Sequence, residues 1–405
     1  MSIRERTWTT KGVEKTAWVV DYTDQHGKRR LKTFAKKKDA KAFSDNTGVE
    51  VRQGIHVADS ATVTVEEAGK LWLKAGAEAG LERTSLDQRK QHLNLHIVPF
   101  IGSDKLSKLS SIAYVRAFQR QLRDAERSEA MVKRVTISLG SLLSNAQEEG
   151  LVIRNVVHEL SRSSSKKGQA KVEKRQKPRP LVGIDIPTND EIRSILAAAQ
   201  ATKWHPLLLT AIFTGMRASE LRGLRWENVK FKLGLIEVTE RADRYHDMGE
   251  PKTTAGTRKI PVLPIVMDTL KQWQSNCPKG ELGLVFPTGA GKVEGHSNIV
   301  NRGFLPIQVK AGVSVDSGQR DEEGQPIMRA KYTGLHALRH WFASWCINRK
   351  DDGGLELPAK VVSERMGHSN IAVTMDTYSH LFPSPNVQQE QEAAQHAFFT
   401  ASSAT

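Results

Sequence analysis

Two arginines, a lysine, two histidines and a tyrosine, spread over four stretches, have types that together suggest chemistry. Arg217 stands in "TGMRASELRGLRW" with Glu220 one turn later, and Lys252 in "EPKTTAGTRKIP". His336 and Arg339 share "GLHALRHWFASW", and His368 and Tyr378 lie ten residues apart in "VVSERMGHSNIAVTMDTYSHL". Arginine forks clamp non-bridging phosphate oxygens two at a time. A lysine and histidines move protons and neutralise developing charge. The tyrosine hydroxyl remains as the candidate nucleophile. Such a set can attack a phosphodiester without a metal ion or nucleotide, because side chains meet the phosphate's charge.

Read singly, each residue has a plainer explanation. Arg217 and Glu220 can form a structural ion pair, Lys252 can be a solvated hairpin lysine, and a lone tyrosine is usually only an aromatic. His336 and His340 are spaced like half a metal site. "HALRH" lacks the acidic residue of the metalloprotease pattern, however, and Arg339 would repel a cation.

These residues need a scaffold and a partner. The chain has 405 residues, enough for two or three domains, and 60 Lys and Arg against 45 Asp and Glu give a net charge of +15. That balance favours a polyanion, with nucleic acid first and an anionic membrane surface second. No apolar run approaches the roughly 18 residues of a membrane helix, and "MSIRERTWTTKG" has no signal-peptide core. Cys277 and Cys346 are too few for a disulfide framework or an all-cysteine zinc site, so a reducing cytosol is expected.

Patterning predicts a multidomain, mainly α chain. Residues 1–60 read as a small α+β unit: strands in "TAWVVDYTD" and "RLKTFA", a turn at "QHGKRR", then a helix ending near Gly54. Thirteen Lys or Arg against eight Asp or Glu make this unit basic, and its aromatics include Trp18 and Tyr22. Residues 62–160 read as an all-α bundle opened by a capping box, Thr64 with Glu67. Residues 161–184 form a basic linker, with eight Lys or Arg and no apolar period in 161–180. Residues 185–382 begin with a second capping box, Thr188 with Glu191, and are mostly α with a small antiparallel insert of "GLIEVTE" and "TRKIPVLP". A tail, 383–405, carries Val387, Ala394 and Phe398 at near-helical intervals.

The order Arg, Lys, His-x-x-Arg, His, Tyr, with the words "TGMRASEL", "HALRH" and "MGHSNIAVTMDTYSH", resembles the tyrosine recombinases of the phage integrase family. The resemblance covers residues 185–382. The bundle is similar to that family's core-site-binding domain, and residues 1–60 resemble the arm-site-binding domain of lambda-type integrases. It implies Tyr378 as nucleophile, Arg217 and Arg339 with His368 on the scissile phosphate, Lys252 protonating the leaving 5′ oxygen and His336 assisting proton transfer. Glu220 would orient Arg217, and His380 would be a bystander. It further implies four protomers recombining double-stranded attachment sites through 3′-phosphotyrosine, no cofactor or metal, a cytoplasmic, nucleoid-associated location, and accessory DNA-bending or directionality factors as further partners. A type IB topoisomerase-like enzyme and a catalytically silent DNA-binding regulator are the alternatives. Two stretches depart from the family: the polar 313–333 and the lengthened "KDDGGLELPAK".

Overall fold

A computed structural model describes residues 1–10, 13–24, 27–52, 62–160, 179–251 and 253–383, with positions 391, 392, 395 and 398. The chain divides into two compact units, Met1–Lys174 and Arg175–Thr405. The expected linker from 161 to 178 and most of the tail lie outside the described residues.

The first unit opens with an antiparallel sheet in the order β1 (Ser2–Thr10), β2 (Val13–Thr23), β3 (Arg29–Phe34). The helix Lys37–Arg52 packs on it around Val20, Tyr22 and Ala40. Tyr22 meets Phe43 edge-on, with ring centres 5.8 Å apart. Its ring is therefore a core component and is not available to stack on a base, whereas Trp8 of β1 is exposed.

The bundle that follows has four main helical segments. Val65–Glu78 starts at the Thr64–Glu67 capping box, and Ile112–Asp124 and Glu129–Glu148 are capped by Ser111 and Ser128. Their apolar faces bury Trp72, Phe118, Leu139 and Leu143 in one core. Arg83–His92 continues through a π turn, Leu93–Ile97, into Val98–Ile101. Sequence spacing predicts one continuous helix here. Pro99 supplies the physical reason for the wider turn, because it has no N–H and its ring crowds the preceding turn. The same device recurs at Ile299–Phe304, just before Pro306.

In the second unit the Thr188–Glu191 box caps Asn189–Ala199, and His205–Thr214 runs through the centre of a large core. The expected insert is an antiparallel sheet of β4 (Val229–Lys230), β5 (Leu235–Val238) and β8 (Arg258–Pro261), with Leu235 opposite Pro261. A small pair, β6 (Arg241–Ala242) and β7 (Met248–Gly249), lies between β5 and β8 in the chain. The polar stretch 313–333 folds into a hairpin, β9 (Ser314–Arg320) with β10 (Pro326–Ala330). Helices His336–Ile347, Ala359–Met366 and Ile371–Tyr378 complete the unit. No helix among the described residues is long and apolar enough to cross a membrane.

Candidate active site

Two left-handed glycines shape the site. Gly215 ends the helix His205–Thr214 at φ 59°, and a Cβ there would sit 2.3 Å from the Phe342 ring. Its carbonyl accepts a hydrogen bond from Arg339 Nη1 at 2.5 Å. Gly367 ends Ala359–Met366 at φ 62°, and a Cβ there would meet Arg258 Nη1 at 2.8 Å. Its carbonyl accepts from Arg217 Nη2 at 3.0 Å, and the Met366 carbonyl accepts from Arg339 Nη2. Only glycine takes this conformation readily and leaves room for a neighbour.

Arg217 precedes the short helix Ala218–Arg222, and Glu220 accepts both its backbone N–H, at 2.9 Å, and its Nη1, at 2.8 Å. The same buried carboxylate takes two bonds from Arg258, at 3.1 and 2.8 Å. Burial alone would raise the Glu220 pKa, but the bonds from Arg258 and Arg217 hold it below the usual carboxylate range. Arg258 also donates to the carbonyls of Arg365 and Gly256. The sequence patterning gives no role to Arg258. Its partner is 38 residues away along the chain, so no local spacing joins them.

Arg339 is 3% exposed. Burial, followed by the charges of Arg217 and Arg258, brings its guanidinium down to about 9, still protonated at neutral pH. Arg217 and Arg258 share one carboxylate, and Arg339 lies within reach of all three charges, which leaves net positive charge in a partly desolvated place. That arrangement favours an anion with several oxygens.

The imidazoles are held neutral. His368 Nδ1 lies 2.8 Å from Thr374 Oγ1, and burial, then Arg339 and Arg217, bring its pKa to about 4. His336 is exposed at the first turn of its helix, and desolvation, then Arg339 and Arg217, lower its pKa. His336 and His340 rings pack edge to face, 4.5 Å between centres. No group of three or more metal-ligating side chains occurs among the described residues.

Tyr378, at the end of Ile371–Tyr378, is 2% exposed, and burial pushes its phenol up to about 12 against the lowering pull of Arg339. Its hydroxyl lies 2.7 Å from His340 Nδ1. In the sequence His340 reads only as half of a metal pair with His336. The i, i+4 spacing from His336 placed it on the right face, but its contact with Tyr378 is tertiary. His380 bonds the Pro180 carbonyl at 2.9 Å. Tyr332, the nearest earlier tyrosine, is core, with its hydroxyl 2.7 Å from Glu191.

The structure therefore brings Arg217, His336, Arg339, His368 and Tyr378 into one neighbourhood, and adds Glu220, Arg258 and His340. Lys252 lies outside the described residues, between β7 and β8.

Residues 187–384 match the phage integrase family. The chain is 24% identical over 378 residues to a tyrosine recombinase XerC-like protein of Caldanaerobacter subterraneus subsp. tengcongensis, covering 89% of this chain and 90% of that one. Its fold is similar to that of the Tn1549 transposon integrase in complex with circular intermediate DNA, with TM-score 0.59, 20% identity, and 83% and 100% coverage. It is also similar to a lambda integrase tetramer bound to a Holliday junction, with TM-score 0.52, 16% identity, and 90% and 95% coverage.

Proposed function

Because this chain belongs to the phage integrase family of tyrosine recombinases, enzymes that cleave and rejoin DNA, we propose that Tyr378 is its nucleophile. The protein is a site-specific recombinase of a mobile element. Tyr378 attacks the scissile phosphate and forms a 3′-phosphotyrosine, while the 5′ oxygen leaves with a proton from Lys252. Arg217 and Arg339 hold the non-bridging oxygens, His368 donates beside them, and His336 assists proton transfer. Glu220 and Arg258 position Arg217. The covalent bond conserves the phosphodiester's energy, so strand exchange needs no nucleotide.

One observation carries this reading: buried Arg339 and half-buried Arg217 flank a site whose positive charge exceeds its single carboxylate, with the Tyr378 phenol at its edge. A structural ion-pair network would balance its charges. A site awaiting a phosphate would not.

At the coarser scale the partner is double-stranded DNA. By analogy with the lambda integrase tetramer, we read the working form as four protomers on two attachment sites in the cytoplasm. Residues 1–60 act as an arm-site domain, 62–160 as a core-site domain, and 185–382 as the catalytic domain.

The test is direct. Tyr378→Phe removes one oxygen and little volume, so it should bind DNA but form no protein-linked DNA on a denaturing gel with nicked substrate in EDTA. Lys252→Ala should slow cleavage about a hundredfold, the scale of one general acid, and a 5′-bridging sulfur should restore it. An adduct from the Phe variant means that Tyr378 is not the nucleophile.

A further inference from the structure

We propose that His340 is the catalytic base that takes the phenolic proton of Tyr378 during strand cleavage and returns it during ligation. This rests on Tyr378 being the nucleophile. His340 Nδ1 is 2.7 Å from the Tyr378 hydroxyl, within hydrogen-bond distance, and the two ring centres lie 5.7 Å apart. His336, the histidine of the His-x-x-Arg word, stands one turn earlier and exposed, with its ring 4.5 Å from that of His340.

A proton acceptor is needed here because burial makes the phenol a poor acid. Its pKa of about 12 leaves it almost wholly protonated at neutral pH. For Nδ1 to accept, His340 must be neutral with its own proton on Nε2. Burial, then His336 and Arg339, hold its pKa at about 4, against an upward pull from Asp185. His340 is therefore unprotonated before DNA arrives. A phosphodiester drawn in by Arg217 and Arg339 brings negative charge beside it and offsets part of that positive field, so the imidazole becomes a stronger base as substrate binds.

The step balances. The Tyr378 Oη–phosphorus bond forms as the phosphorus–O5′ bond breaks, the phenolic proton passes to His340 Nδ1, and O5′ takes a proton from Lys252. Ligation reverses each transfer, with protonated His340 supplying the leaving phenolate.

Full-length His340→Asn keeps an amide oxygen near the Nδ1 position, able to accept the phenol's bond but not its proton. Single-turnover cleavage and ligation should each slow about a hundredfold, the scale of one proton-transfer group, while DNA binding in gel shift is unchanged. Replacing Tyr378 by 3-fluorotyrosine, a more acidic phenol, in the Asn variant should recover about tenfold in cleavage, roughly what one pKa unit is worth. Beside intact His340 the fluorotyrosine should change the rate less than about threefold, because the base already removes the proton. Wild-type rates from His340→Asn would overturn the proposal, since holding the hydroxyl would then suffice. A loss that fluorotyrosine does not relieve, or a large gain from fluorotyrosine beside intact His340, would overturn it too. The Tyr378→Phe assay separates these results from failure of the nucleophile assignment: an adduct there removes both readings, whereas no adduct with an active His340→Asn removes only this one.

Discussion

Glu220 is a single carboxylate between two guanidiniums, and its burial at 2% exposure makes it the residue whose charge matters most to the site's integrity. Glu220→Gln removes that charge and leaves Arg258, itself 6% exposed, without its ionic partner. Breaking a buried pair from one side costs about 3–5 kcal/mol, so urea unfolding of the variant should show a loss on that scale. A loss below about 1 kcal/mol, typical of an exposed pair, would mean that Arg217 and Arg258 are oriented by something else. The imidazoles give a pH prediction. His340 and His368 are depressed to about 4 from an ordinary 6.5, so the unfolded chain binds more protons between those values. The stability they contribute is complete above about pH 6.5 and is lost as pH falls toward 4, by about 2 kcal/mol per imidazole near pH 5. His368→Asn should flatten that slope in urea titrations at neutral and acidic pH, and an unchanged slope would show that His368 is not held neutral. Residue types were legible in the sequence where a local word carried them, as with Arg217 and its Glu220 one turn on. Arg258 and His340 were not, because their partners are 38 residues distant in each case.

Helix ends place the functional groups at the scale of elements. Gly215 stops one helix and hands its carbonyl to Arg339, and Gly367 does the same for Arg217. Gly215→Ala meets two penalties, a left-handed φ costing about 1–2 kcal/mol and a Phe342 contact costing about 1–3 kcal/mol. The variant should lose about 3 kcal/mol in urea unfolding and form adduct more slowly, since the Arg339 bond moves with the carbonyl. A neutral result in both measurements would remove Gly215 from the site's support. Both capping boxes were readable, because such signals depend on residues three apart. The π turns were not, since a proline two residues on reads equally well as a kink or a stop. The 313–333 stretch was readable only as polar; its register depends on pairing Ser314 with Ala330, across a tip held by Asp321.

At the scale of the whole molecule, the first sixty residues carry an excess of five positive charges on a small sheet with one helix behind it. β1 keeps Arg4, Arg6 and Trp8 exposed, while Tyr22 belongs to the core. A basic sheet face with an exposed aromatic can follow a phosphate backbone, and each phosphate it neutralises releases counterions. If this unit holds DNA apart from the crossover, removing residues 1–60 should leave Tyr378 adduct formation on a short core-site substrate within about threefold, because such a duplex offers it no phosphates of its own to release counterions from. Integration between full attachment sites should fall by at least about tenfold, and affinity for the full site should lose part of its salt dependence. Arg4→Ala with Arg6→Ala should reproduce part of the loss, whereas Tyr22→Phe should not, because that ring packs on Phe43. Equal impairment of short-core cleavage and full-site integration would show instead that residues 1–60 support the fold or the core contact. Normal integration by the truncated chain would show that the exposed face of β1 is only a solvated surface.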